Sequence, residues 1–152
     1  MGAGAVMIVN LLAAARGELN DRDGFRFFDA GVGGPLGAEL IGCSLYDLPP
    51  GEQLWPYHFH RGNEEWAVVV AGTPTVRTPD GVRDLRPGDI VAFPENEEGA
   101  HTFRNHGEAD ARIALFSTLN RATYPVYPDS DKVGANRRYF RMGDAVDYWD
   151  GE

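Results

Sequence analysis

From residue 38 onward, apolar and polar positions alternate in short runs that break at Gly, Pro, Asn and Asp, the pattern of β-strands joined by tight turns. Ala38 to Leu48 reads as a strand closed by Pro49, Pro50 and Gly51, and Trp66 to Ala71 (WAVVVA) as a buried one. Thr73 to Thr78 and Val82 to Leu85 flank Pro79-Asp80-Gly81, whose proline presets φ and whose glycine tolerates positive φ, so the two runs form a hairpin. Arg86 to Asp89 makes the next turn, followed by strands at Ile90 to Phe93, His101 to Arg104 and Ala111 to Leu119. Upstream, Asn20 to Gly24 (NDRDG) and Gly31 to Gly37 are turn-forming breaks, and the apolar stretch Val6 to Ala15 is expected to be a short helix or an edge strand packed on the body or on a second subunit. With no long amphipathic helix and no internal repeat, the pattern predicts an all-β closed or double-sheet structure.

Length sets one domain with its own core, since 152 residues leave no room for a second barrel. Three stretches divide it: an N-terminal segment (1–37), a barrel core (38–120) and a C-terminal extension (121–152). The last carries Tyr124, Tyr127, Tyr139, Phe140, Tyr148 and Trp149, too aromatic for a disordered tail, and is expected to pack on the barrel or a partner subunit. Within it Arg137, Arg138 and Arg141 form a basic cluster, read as surface ion-pairing groups before an anion-binding role.

The chain holds 14 Lys and Arg against 23 Asp and Glu, a formal charge of −9, which disfavours nucleic acid and anionic membrane surfaces as partners and leaves small molecules or proteins. Val6 to Ala15 lacks a basic flank, is interrupted by Asn10 and is far shorter than the roughly 20 apolar residues of a membrane span, so secretion and insertion are not expected. The single Cys43 excludes an intrachain disulfide and suits a reducing cytoplasm, with the thiol as a small buried apolar group.

Chemistry concentrates in a few residues. His58 and His60, two apart on a strand, project to one face. Arg61 to Glu64 has turn composition, so a hairpin returns Glu65 beside them, and the strand opening at His101 supplies a third imidazole. Taken singly, each is more often a hydrogen-bonded core group or a solvated acid. Together, with three of the chain's four histidines in these positions, they predict one metal site of His58, His60, Glu65 and His101. The fourth, His106, sits in a turn-like context and is expected to be exposed. Alternation along His101 to Arg104 places Phe103 inward, as a wall of a dry pocket and a substrate-contacting candidate, with Thr102 and Arg104 outward. Nitrogen and oxygen donors without thiolate suit Fe, Mn, Ni, Zn or Cu and do not choose among them. Four protein ligands leave positions open on an octahedral ion, and one carboxylate leaves it a Lewis acid. Glu95, Glu97 and Glu98 read as a solvated acidic loop before a lid.

These residues resemble the cupin family. Its first motif is matched by Gly51, His58, His60, Glu65 after four residues and Gly72 after six more; its second by Gly88, Pro94, Gly99, His101 and Asn105. Six residues separate Gly51 from His58 where the family has five, and Pro94 to His101 (PENEEGAH) is longer and more acidic than its pattern. The resemblance covers residues 51 to 105 and implies a double-stranded β-helix, or jelly-roll barrel, with extended N- and C-terminal segments, and a homodimer. It implies as the leading activity an oxidoreductase of the dioxygenase type on a small organic molecule. A metal-dependent isomerase or decarboxylase of a sugar or small acid is the second expectation, and a non-catalytic ligand-binding or sensory barrel the third.

Overall fold

The computed structural model describes residues 6–152 as thirteen short strands and three turns of 3-10 helix. In chain order the strands are β1 (Glu18–Asn20), β2 (Phe27–Gly31), β3 (Ile41–Leu48), β4 (Gln53–Arg61), β5 (Glu65–Ala71), β6 (Thr75–Thr78), β7 (Gly81–Asp84), β8 (Ile90–Phe93), β9 (His101–Arg104), β10 (Ala111–Thr118), β11 (Tyr124–Tyr127), β12 (Lys132–Ala135) and β13 (Arg138–Arg141). They form two antiparallel sheets, ordered β1-β2-β3-β10-β5-β8 and β13-β12-β11-β4-β9-β6-β7, the two-layer arrangement of a jelly roll. No helix among the described residues is long and apolar enough to cross a membrane.

Alternation decides which side chains fill the space between the sheets. From the six-stranded sheet come Tyr46, Leu48, Ala67, Ala111, Ile113 and Leu115; from the seven-stranded sheet Leu54, Val76 and Phe103 meet them in one core cluster. The opposite parity of the first sheet makes a second cluster on its outer face, around Leu45 and Ala114, onto which Leu11 and Ala14 fold. Buried on that face, Asp47 accepts two hydrogen bonds from Arg112, at 2.7 and 2.9 Å. The remaining Arg112 nitrogen donates to the carbonyls of Leu11, Leu12 and Ala14.

That guanidinium explains why Val6 to Ala15 is neither the expected helix nor an edge strand. The Asn10 side chain accepts from the Leu12 and Ala13 amides, closing a turn that competes with helix, and Arg112 takes up the carbonyls that a strand ladder would have used. Residues 1–5, the first part of the 1–37 segment, lie outside the described residues. Strands at both ends escaped the sequence pattern: β1 and β2 are short, lie among turn residues and gain their order by pairing onto β3, and β12 and β13 form a hairpin that pairs onto β11. At the other end β11 pairs with β4, so the C-terminal extension widens the seven-stranded sheet.

One departure from strand regularity bears on the site. Leu54 faces Phe103 and His58 faces His101, so four steps along β4 match only two along β9. The extra residues bulge, with Trp55 at φ 53°, a left-handed conformation unusual for a bulky side chain. Thr102, expected to point to solvent, is buried against this bulge, and its hydroxyl hydrogen-bonds the carbonyls of Leu54 and Trp55, both at 2.9 Å. A polar residue on the outer face thereby satisfies acceptors that the bulge removes from the ladder.

Candidate metal centre

Strands β4, β5 and β9 bring the four predicted ligands to one end of the space between the sheets. His58, His60 and Glu65 each offer a donor atom within 4.8 Å of the others. His101 adjoins them through Glu65: its Nε2 lies 3.7 Å from Glu65 Oε2, the same distance as His60 Nε2. His58 and His101 rings pack with centroids 5.0 Å apart.

Local structure fixes two of the imidazoles. His58 Nδ1 lies 2.9 Å from the Pro56 carbonyl, which the β4 bulge supplies, and His101 Nδ1 lies 2.9 Å from the Gly99 carbonyl. Both rings therefore hold a proton on Nδ1 and turn Nε2 inward, the tautomer of a ligating histidine. Gly99 has no substitute in this turn, because a Cβ there would collide with the Pro94 carbonyl oxygen. Phe93 stacks on the His101 ring at 3.7 Å and 11°, clamping it from the β8 side. Asn105, fully buried, donates to the carbonyls of Leu48 and Ala109 and accepts from the Gly107 amide, which closes the loop after β9.

Burial sets the charge state. It pushes the His58 imidazole down to about 4 and His101 to about 3, and lowers His60, so all three are neutral lone-pair donors at pH 7. It pushes the Glu65 carboxyl up to about 7, with no neighbouring cation to hold it down. Two buried nitrogens, His60 Nδ1 and His101 Nε2, have no hydrogen-bond partner. Neutral buried imidazoles, a half-charged buried carboxyl and the orphaned His101 Nε2 that faces it are what a divalent cation would relieve, so these residues fit a metal ion.

A cavity of about 650 Å³ opens above the cluster. Besides His58, His60 and Glu65, its walls include Phe27, Tyr46, Trp55, Leu115 and Tyr127. Tyr46 and Trp55 meet edge to face at 4.6 Å, and Tyr127 stacks on His58 at 5.6 Å. Burial raises the hydroxyls of Tyr46 and Tyr127, so both stay protonated hydrogen-bond groups.

Phe103 requires a correction. It faces inward, but it is 0% exposed in the core beneath His101 and is not among the residues that line the cavity. Trp55 and Tyr127 take the wall position instead. Strand parity had no means of finding Trp55, which reaches the cavity only through the bulge; the aromatic texture of 121–152 was the signal for Tyr127. Glu95, Glu97 and Glu98 are exposed and outside the cavity, with Glu97 paired to Arg61. Arg137, Arg138 and Arg141 are also exposed and lie away from it, and His106 is exposed as expected. Cys43 is half-buried against the outer-face cluster.

Residues 44–117 match the family model described as Cupin domain. Among solved structures, the chain is similar to a putative sugar phosphate isomerase from Acidithiobacillus ferrooxidans, at 22% identity and TM-score 0.81, covering 93% of this chain and 95% of that one. A structure from Silicibacter pomeroyi described as a sugar phosphate isomerase from a cupin superfamily matches at 22% and 0.78, covering 95% and 98%. A predicted oxalate decarboxylase from Thermotoga maritima matches at 18% and 0.61, covering 75% and 100%. No curated protein sequence matches the chain. Both sheets of the jelly roll, the motif residues at their predicted places and the matched model lead to one statement: residues 44–117 of this chain form a cupin domain.

Proposed function

We propose that this cupin is a metal-dependent enzyme that carries out redox-neutral chemistry, isomerisation or decarboxylation, on a small oxygen-rich molecule. The observation that supports it is the convergence of His58, His60 and Glu65 on the floor of a cavity large enough for such a molecule, with a third neutral imidazole, His101, buried beside them 3.7 Å from Glu65. His58, His60, Glu65 and His101 would hold one divalent ion, which when bound supplies a Lewis acid that polarises substrate oxygen. The protein's own groups do the rest. Pro56 and Gly99 carbonyls keep the His58 and His101 rings in register. Tyr46 and Tyr127, protonated at neutral pH, offer hydroxyls along the cavity wall, and the Trp55 and Phe27 rings exclude water from one side.

Neighbours of similar fold described as sugar phosphate isomerases and as an oxalate decarboxylase favour this reading over the dioxygenase expectation, for which none of the three speaks. The test is turnover without oxygen. Protein purified without tag or chelator should carry close to one divalent metal per chain, lost in His58→Ala and Glu65→Gln. Loaded separately with Mn(II) and Fe(II), it should convert a member of a panel of aldose and ketose phosphates and small diacids under argon, with ²H uptake from D2O followed by NMR. Turnover that requires O2 would restore the dioxygenase reading. Ligand-induced stabilisation with no turnover on any loaded metal would favour the non-catalytic one.

A further inference from the structure

In a chain with a formal charge of −9, the cavity above the metal cluster is lined by two cations, Arg22 and Lys132, and by a single carboxyl, Glu65, which sits on its floor. Neither cation has a carboxylate within 4 Å among the described residues, although acids surround them in sequence. Asp21 and Asp23 flank Arg22, but both turn to Arg26, at 2.9 and 3.4 Å, and Glu52 joins them at 3.5 Å. Asp131 precedes Lys132, but its carboxylate accepts from the Gly143 amide at 3.0 Å. The backbone that carries Arg22 is fixed, and the Lys132 ammonium is itself positioned. The Arg22 carbonyl accepts from the Phe25 amide across a turn with Gly24 at φ 78°, and the Asn20 side chain ties down the Phe25 carbonyl at 2.7 Å. Lys132 Nζ rests 5.3 Å from the Tyr127 ring centroid and 5.9 Å from that of Tyr139, aromatic faces that orient an ammonium without neutralising it.

We propose that Arg22 and Lys132 form an anion clamp at the cavity wall, which selects substrates carrying a phosphomonoester or carboxylate at one end while the other end reaches the metal cluster. Both residues lie outside the matched cupin domain (44–117): Arg22 comes from the N-terminal segment and Lys132 from the C-terminal extension. The barrel thus supplies the ligands, and the two extensions supply the charge selection. The exposed Arg22 guanidinium and the half-buried Lys132 ammonium each make charge-assisted hydrogen bonds to such a group, roughly twice as strong as those to a neutral hydroxyl.

This inference rests on the proposed use of the cavity as a substrate site, yet it is testable with no metal present. The probes are sorbitol 6-phosphate, gluconate and sorbitol, titrated calorimetrically into EDTA-treated protein. At least one of the two anions should bind about tenfold or more tightly than sorbitol, and which one does so tells phosphate from carboxylate as the preferred group. The preference should vanish in Arg22→Met/Lys132→Met, persist in Lys132→Arg, and persist in Arg83→Met, a control on the exposed face of β7. Because the titration is run on EDTA-treated protein, failure of the metal reading leaves the clamp standing. Equal binding of anion and sorbitol by the wild-type protein would overturn the clamp, as would an anion preference that survives in the double variant with an unchanged melting profile.

Discussion

At the scale of single residues, the site is a group of side chains held in protonation states that water would not favour. Neutral His58 and His101 suit a metal, and they carry a consequence for the metal-free fold. As pH falls below 6.5 the unfolded chain takes up protons that the folded imidazoles refuse until about 4 and 3, so stability contributed above that range is lost. Refusal costs on the order of 3 kcal/mol per fully buried imidazole by pH 4. Glu65 acts with the opposite sign: its folded carboxyl holds a proton up to about 7, so acidification from 7 to 4.5 favours the fold and offsets roughly one histidine. With two strongly shifted histidines against one carboxyl, the urea midpoint of EDTA-treated protein should fall between pH 6.5 and 4.5. A midpoint that holds steady or rises across that range would contradict the neutral-imidazole assignment.

At the scale of elements, the β4 bulge links packing to chemistry. It throws Trp55 into the cavity, presents the Pro56 carbonyl to His58, and is itself held by the Thr102 hydroxyl from β9. Thr102→Val keeps the shape but takes the hydroxyl from the buried Leu54 carbonyl, while the Trp55 carbonyl keeps the Gln53 amide at 3.0 Å, a loss of about 1–3 kcal/mol of stability. Because His58 is oriented from within the bulge, metal affinity should weaken as well, by about tenfold or more, as for other groups that position a ligand. Chemical denaturation and competitive metal titration measure the two effects separately. Lost stability with unchanged affinity would show that the bulge does not steer His58. Period-two alternation found β5, β8 and β9 at their true places because those strands are regular, and it found the ligands because His58, His60 and His101 share a parity that the bulge leaves intact. It failed at Thr102, whose burial is created by the irregularity opposite it.

At the scale of the whole molecule, the outer face of the six-stranded sheet is only partly covered. Leu11 and Ala14 lie over one end, fastened by Arg112, while Ile41 on β3, Trp66 on β5 and Ile90 on β8 remain 57%, 48% and 59% exposed. Apolar side chains aligned on one sheet face suit contact with a second copy. Light scattering should give a mass twice the 16.7 kDa of one chain, and Trp66→Glu, which places a charge at the centre of that face, should shift it toward a single chain. A wild-type protein with the mass of one chain at micromolar concentration would remove the dimer from consideration.

Sequence by itself determined the strand pattern of the barrel and the identity of the four candidate ligands, because strand periodicity and turn chemistry are local properties and the histidines stand at spacings that a regular strand and a tight hairpin preserve. The cavity wall needed the tertiary structure. Arg22, Tyr46, Trp55, Tyr127 and Lys132 come from five separate stretches of chain, and what brings them together is long-range pairing: β2 onto β3, β11 onto β4, and a bulge whose size is set by the strand beside it. Phe103 obeyed its parity and still missed the cavity, since parity chooses a face of the sheet, whereas depth beneath that face is decided by the side chains packed above it.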